Sequence, residues 1–127
     1  MEARSINAAD PPAAVGGYAQ AVEVRGAART VYVSGQIPVA RDGTVPAAFE
    51  EQARLTWRNL EAQLHAADMT LDHLRKVTIF LSSREFAVAN RSIRQEVLGD
   101  RAPALTVIIT GIFDEAWLLE IEAIAAI

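Results

Sequence analysis

The segment Lys76-Val77-Thr78-Ile79-Phe80-Leu81 decides the fold. Val77, Ile79 and Leu81 alternate with Lys76, Thr78 and Phe80, the period-two pattern of a strand whose successive side chains point to opposite faces. Patterns of helical period flank it on both sides. From Ala47 to Ala67, Phe49, Ala53, Leu60, Leu64 and Ala67 recur at helical spacing, leaving Glu50, Glu51, Arg54, Arg58 and Glu61 for the wet side. A turn around Asp68 to Asp72 leads into the strand. Beyond the strand, Ser82 or Ser83 is placed to cap a second helix, with Glu85 completing a capping box to Ser82. Phe86, Ala89, Ile93 and Val97 mark that helix's buried stripe, and Gly99 ends it.

Both ends of the chain are predicted to be strands. Tyr18 to Val24 and Thr30 to Gln36 are rich in β-branched and aromatic residues, and Gly26-Ala27-Ala28-Arg29 between them reads as the turn of a hairpin. Pro103 opens a strand over 104–110, Gly111 to Glu115 forms a loop, and Trp117 to Ile127 makes a long closing strand. The order of two strands, helix, strand, helix, two strands is an α+β pattern in which two helices cover only one face of one sheet. The other face matters, because the strand over 104–110 places Leu105, Val107 and Ile109 on one side and Ala104, Thr106 and Ile108 on the other. Burying each large aliphatic side chain is worth roughly 1.5–3 kcal/mol, so a second subunit is expected to cover what the helices do not.

Composition bounds the function. A chain of 127 residues, 51% hydrophobic and 22% charged, suits a single domain over residues 1–127. A formal charge of -4 and a pI near 5.1 leave no basic field for a phosphate backbone, so nucleic acid is not expected as a ligand. The chain has no cysteine, which excludes disulfides, thiolate nucleophiles and cysteine-ligated zinc. The first residues lack the apolar core of a signal peptide and no apolar run is long enough to span a bilayer, so a cytoplasmic location is expected and no membrane. His65 and His73 fit no metal-ligand spacing and read as surface residues. Trp57 and Trp117 read as packing residues rather than a base-stacking platform. No phosphate loop, nucleophile elbow or HExxH motif is present.

Three short stretches carry candidate chemistry. Glu120 and Glu122 share one face of the closing strand with Leu118 and Ile124. A carboxylate in partly apolar surroundings titrates closer to neutrality and can shuttle a proton to or from water; the same pair could instead meet a basic residue or a wet channel between subunits. In Gly16-Gly17-Tyr18 the glycines permit tight backbone geometry, and the tyrosine supplies either a flat apolar wall with a hydroxyl or a core aromatic. Ser34-Gly35-Gln36 ends a strand, where a small hydroxyl and a free backbone amide either meet a ligand or make a turn.

Taken with Val15-Gly16-Gly17-Tyr18-Ala19-Gln20-Ala21-Val22, Val33-Ser34-Gly35-Gln36-Ile37-Pro38 and Glu120-Ile121-Glu122-Ala123-Ile124-Ala125, the stretch Pro103-Ala104-Leu105-Thr106-Val107 closely resembles the RidA family, also called YjgF or UK114. The resemblance runs over nearly the whole chain. It implies a chorismate-mutase-like α+β domain with a mixed sheet and two helices on one face, assembled as a homotrimer with ligand clefts between subunits. It also implies a cofactor-free hydrolysis of imines or enamines, in which the glutamate matching Glu120 directs a water. Tyr18, Ser34, Gly35 and Asn90 match pocket residues of the family, whose motif has proline where this chain has Gly17.

The chain departs from the pattern at Leu105, where the family's deaminases carry an arginine that grips the substrate carboxylate. A leucine cannot imitate that two-pronged pair, and charge-assisted bonds of this kind are worth roughly 1.5–3 kcal/mol each. The ordinary 2-aminoacrylate reaction is therefore not expected. Val107 stands where many relatives have cysteine, a change that a backbone amide's role would survive. Arg101 is the nearest cation in sequence, as a solvated surface residue or as one reaching in from the loop. Three functions remain open: a hydrolase of a different imine, a non-catalytic trimer binding a small metabolite or a partner, and, with little physical support, a ribonuclease.

Overall fold

The computed structural model describes all 127 residues. Its strands are β1 (Glu2–Ile6), β2 (Ala21–Arg25), β3 (Thr30–Gln36), β4 (Leu74–Leu81), β5 (Ala104–Ile109) and β6 (Leu119–Ala126), and its helices α1 (Phe49–Ala66) and α2 (Ala87–Leu98). The main sheet has the order β3-β6-β4-β5, with β4 and β5 parallel and the other pairs antiparallel. The parallel pair is possible because α2 forms the crossover between its strands.

Alternation in β4 and β6 sorts the two faces. Val77, Ile79 and Leu81 of β4 and Leu119, Ile121, Ala123 and Ala125 of β6 are buried under the helices, in one core with Phe49, Ala53, Trp57, Leu60 and Leu64 of α1. Gln52 fixes α1 to the sheet's end: its Nε2 donates to the carbonyls of Pro46 and Ala116, and its Oε1 accepts from the Leu118 N–H. Trp57 is buried as expected, and its indole N–H meets no acceptor. The opposite face carries no helix. Rows of side chains cross it, Tyr32-Ile124-Lys76, Glu122-Thr78-Thr106 and Glu120-Phe80-Ile108, and Tyr32 is 77% exposed there.

The hairpin expected between β2 and β3 does not form. β2 pairs with β1 in a separate two-stranded sheet, and β3 pairs with β6. The Gly26–Arg29 link steers this outcome, because Ala28 and Arg29 donate to the Ile127 carbonyl and Ile127 donates back to Arg29. That exchange feeds β3 onto the closing strand, where Val33 enters the helix-covered core. Of the two serines placed to cap, Ser83 accepts from the Glu85 N–H and starts a single 3-10 turn ahead of α2, so the capping box to Ser82 does not form. Gly99, at φ 57, ends α2.

Candidate functional site

The candidate residues fall into two groups on different parts of the subunit. The first lies where β3 meets β6. The pairing slips between Val33 and Gln36, so Ser34 and Gly35 bulge against β6 and Gly35 comes to rest on the Glu120 side chain. A β-carbon on Gly35 would collide with Glu120 Oε2 and lie 2.7 Å from its Cδ. The carboxylate therefore occupies the space that glycine leaves. Neither Glu120 nor Glu122 joins any of the chain's four ion pairs. On its other flank Glu120 borders a cleft of about 240 Å³ walled by Phe80, Thr110, Gly111, Ile112 and Phe113, and Phe113 is 94% exposed. Ser34 is exposed and opens on a separate recess with Tyr32, Gln36 and Gln63.

The second group lines the free edge of β5. Ala19 forms a parallel bridge to Ala104 and donates to the Pro103 carbonyl at 3.1 Å, which lays Gly16-Gly17-Tyr18 alongside the start of the strand. The Pro103 carbonyl faces outward, whereas the Thr110 N–H donates inward to Leu81 at 2.9 Å. Alternation along β5 then aims the Val107 and Ile109 amides at the open edge. Val107, Ile108 and Ile109 all expose apolar surface there. Leu105 pairs with Val77 and packs against the helix-side core. Asn90 and Arg94 are 3% and 5% exposed on α2, one turn apart. Arg94 Nη2 donates to the Gly16 carbonyl, two residues before Tyr18.

Within one subunit these groups do not meet. Glu120 sits two strands from β5 and three residues along from the Leu105 level, about 14 Å between α-carbons at ordinary strand spacings. The two side chains also project from opposite faces, since Leu105 follows Val77 and Glu120 follows Phe80. Arg101 does not reach either group: its Nε donates to Asp72 at 2.7 Å and its Nη1 to the Leu98 carbonyl. His65 is exposed, and His73 Nδ1 accepts from the Thr70 N–H in a local cap. No group of three or more His, Cys, Asp or Glu side chains is placed to hold a metal. Gly17 has φ 76, which a proline ring cannot adopt, so this loop is shaped differently from one with proline at that position.

Phe80, Phe113 and Arg94 were not anticipated as neighbours of these groups. Phe80 was within reach of sequence reasoning, because its parity in β4 opposes that of Val77, Ile79 and Leu81. Phe113 and Arg94 depend on where a loop and a helix face settle in three dimensions.

A single-domain α+β protein with a mixed sheet, two helices on one face and a glutamate poised on a glycine bulge is the class these features define. The endoribonuclease L-PSP family model matches residues 8–127. The chain is 37% identical to the mitochondrial protein mmf2 of Schizosaccharomyces pombe over 87% of its own length and 88% of that protein's. It is 32% identical to the 2-iminobutanoate/2-iminopropanoate deaminase of Escherichia coli over 96% of both. The crystal structure of Escherichia coli TdcF with bound serine superposes with a TM-score of 0.74, at 29% identity and 98% coverage of each chain. The chain belongs to the RidA family. No helix is long and apolar enough to cross a membrane.

Proposed function

We propose that this protein is a RidA-like hydrolase that deaminates an imine or enamine, with Glu120 directing the attacking water. The observation that carries the reading is the unpaired Glu120 carboxylate, seated on Gly35 and bordering an apolar-walled cleft. Water attacks the C=N carbon while Glu120 accepts its proton. The carboxyl returns that proton to nitrogen, and the carbinolamine collapses to a carbonyl product and ammonia. No electron acceptor or cofactor is required, and carboxylate general acid-base help of this kind contributes typically 10²–10⁴-fold.

The working assembly is a homotrimer whose clefts join the two groups across subunits. β3 and β5 are the two edges of the main sheet, and the β5 edge exposes both apolar side chains and free amides. A heterologous contact that closes into a ring gives each cleft one half from either neighbour. Ser34, Gly35 and Glu120 then come from one subunit, and Tyr18, Asn90, Leu105 and the Val107 amide from the next. With Leu105 apolar, the ordinary 2-aminoacrylate reaction is not the expected one. Because the chemistry proposed needs neither nucleic acid nor a membrane, the cytoplasm is the proposed location, although mmf2 is named as mitochondrial.

Ammonia release from freshly generated imines tests this reading. Native protein should accelerate it and Glu120→Gln should not, while sedimentation shows the same assembly for both. Full activity in Glu120→Gln would refute the assignment. The half-buried Leu105 gives a second reading some weight, a trimer that binds a small metabolite without converting it. Saturable binding of a ligand recovered unchanged, with no imine hydrolysed, would favour it.

A further inference from the structure

We infer that Arg94, with Arg91 and Asn90 on the same helix, forms an anion site that holds a small carboxylate against the Gly16–Tyr18 loop. Arg94 is 5% exposed, yet it joins none of the chain's four ion pairs. Its one hydrogen bond within the chain runs from Nη2 to the Gly16 carbonyl. A guanidinium has five N–H donors, so most of this one's donors have no protein acceptor and, not being sealed from solvent, stay open to a ligand.

A second guanidinium converges on the same point. A β-carbon on Gly16 would lie 3.1 Å from Arg94 Nη2 and 3.3 Å from Arg91 Nε. Gly16 itself holds φ 99, a left-handed conformation that glycine adopts without strain. Two cations thus crowd one glycine with no carboxylate between them. Burial and then Arg91 hold the Arg94 pKa below its ordinary value. Asn90, one turn earlier and 3% exposed, has a side-chain amide with no partner in the chain and adds a donor on the same helix face. The planar fork of a guanidinium matches the two oxygens of a carboxylate. Leu105 packs on the helix side of β5, the side of the sheet that α2 also covers.

Its identification as part of the substrate pocket rests on the hydrolase reading, whereas anion binding does not. The first experiment follows thermal unfolding of the full-length protein with acetate, with pyruvate, with acetamide and with inorganic phosphate. Acetate and pyruvate should raise the unfolding temperature in a saturable way and acetamide should not, with the shift lost in Arg94→Met and weakened in Arg94→Lys and Arg91→Gln. Stabilisation by phosphate alone would overturn the carboxylate assignment, as would shifts that persist in Arg94→Met. Should Arg94→Met fail to fold, the exposed Arg91→Gln and the charge-retaining Arg94→Lys decide the matter by the same readout.

The second experiment compares kcat/KM for a carboxylate-bearing imine with that for its amide counterpart. Arg94→Met should lower this ratio about 10- to 100-fold, the size of a lost charge-assisted pair. An unchanged ratio, with Glu120→Gln inactive, would overturn the role of Arg94 and leave the hydrolase reading standing. If native protein hydrolyses no imine while acetate still stabilises it through Arg94, the hydrolase reading fails and the anion site stands.

Discussion

Gly35→Ala separates the position of Glu120 from the stability of the fold. Gly35 does not have a positive φ, so alanine fits its backbone without the strain it would meet at Gly16 or Gly17. The obstacle is the Glu120 side chain. The added carbon would collide with Oε2 and stand 2.7 Å from Cδ, so to reach the 3.4 Å of ordinary van der Waals contact the carboxyl carbon must retreat by about 0.7 Å and Oε2 by about twice that. The displaced atoms belong to the free end of a flexible side chain, and an off-rotamer adjustment there costs about 0.5–1.5 kcal/mol. Chemistry is far less forgiving, since a misplacement of about 1 Å can cost on the order of 100-fold in rate. The expected result is a folded variant, destabilised by about 1 kcal/mol in urea unfolding, whose imine hydrolysis falls about 100-fold. Full activity in a folded Gly35→Ala would refute the claim that this contact sets the catalytic geometry. Loss of the fold would refute the claim that only the side-chain end must give way.

Other outcomes follow from the packing and the charges. Leu60, fully buried between α1 and the sheet, should cost about 2–5 kcal/mol on Leu60→Ala, measured by urea unfolding; a cost below 1 kcal/mol would mean the core had been misplaced. The Arg54 guanidinium donates two hydrogen bonds to Glu96 across the helices, at 2.9 and 3.1 Å, and these bonds hold the Glu96 carboxyl below its usual pKa. A lowered carboxyl pKa stabilises the fold above the ordinary carboxylate range and loses that contribution as pH falls through the lowered value. The unfolding-temperature difference between native and Glu96→Gln should therefore shrink on acidification, and a pH-independent difference would show that the pair contributes nothing. Leu105→Arg should improve hydrolysis of carboxylate-bearing imines while costing about 1–3 kcal/mol for lost packing; unchanged activity on these imines would place residue 105 outside the pocket.

Much of the fold was legible because period decides type. The alternation in 76–81 and the helical spacing over 47–67 were each strong enough to give element, face and most of the core. The errors arose where local pattern has no authority. Nothing in Thr30–Gln36 says that its partner is the closing strand rather than its neighbour in sequence, and that pairing is made by backbone bonds between Ala28, Arg29 and Ile127. β1 escaped notice because Glu2–Ile6 carries too little apolar alternation to announce itself. For the site, Glu120 and Gly35 were singled out separately, and only the bulge after Val33 shows that one fills the space of the other. That Leu105 and Glu120 face opposite sides of the sheet follows from register, which composition and spacing do not contain. Arg94 was hidden for a simpler reason: on a helix face, an arginine destined for burial looks like any other surface cation.

The central claim, that a working cleft takes one half from each of two neighbouring subunits, is tested most directly by mixing two disabled variants. Glu120→Gln damages one half and Tyr18→Ala the other, and each alone should release little ammonia. After joint unfolding and refolding at equal amounts, about a quarter of the clefts in a randomly assembled ring should pair two intact halves, so about a quarter of native activity should return. Mixed assemblies that form and remain inactive would contradict the account, because the two groups would then have to act within a single subunit.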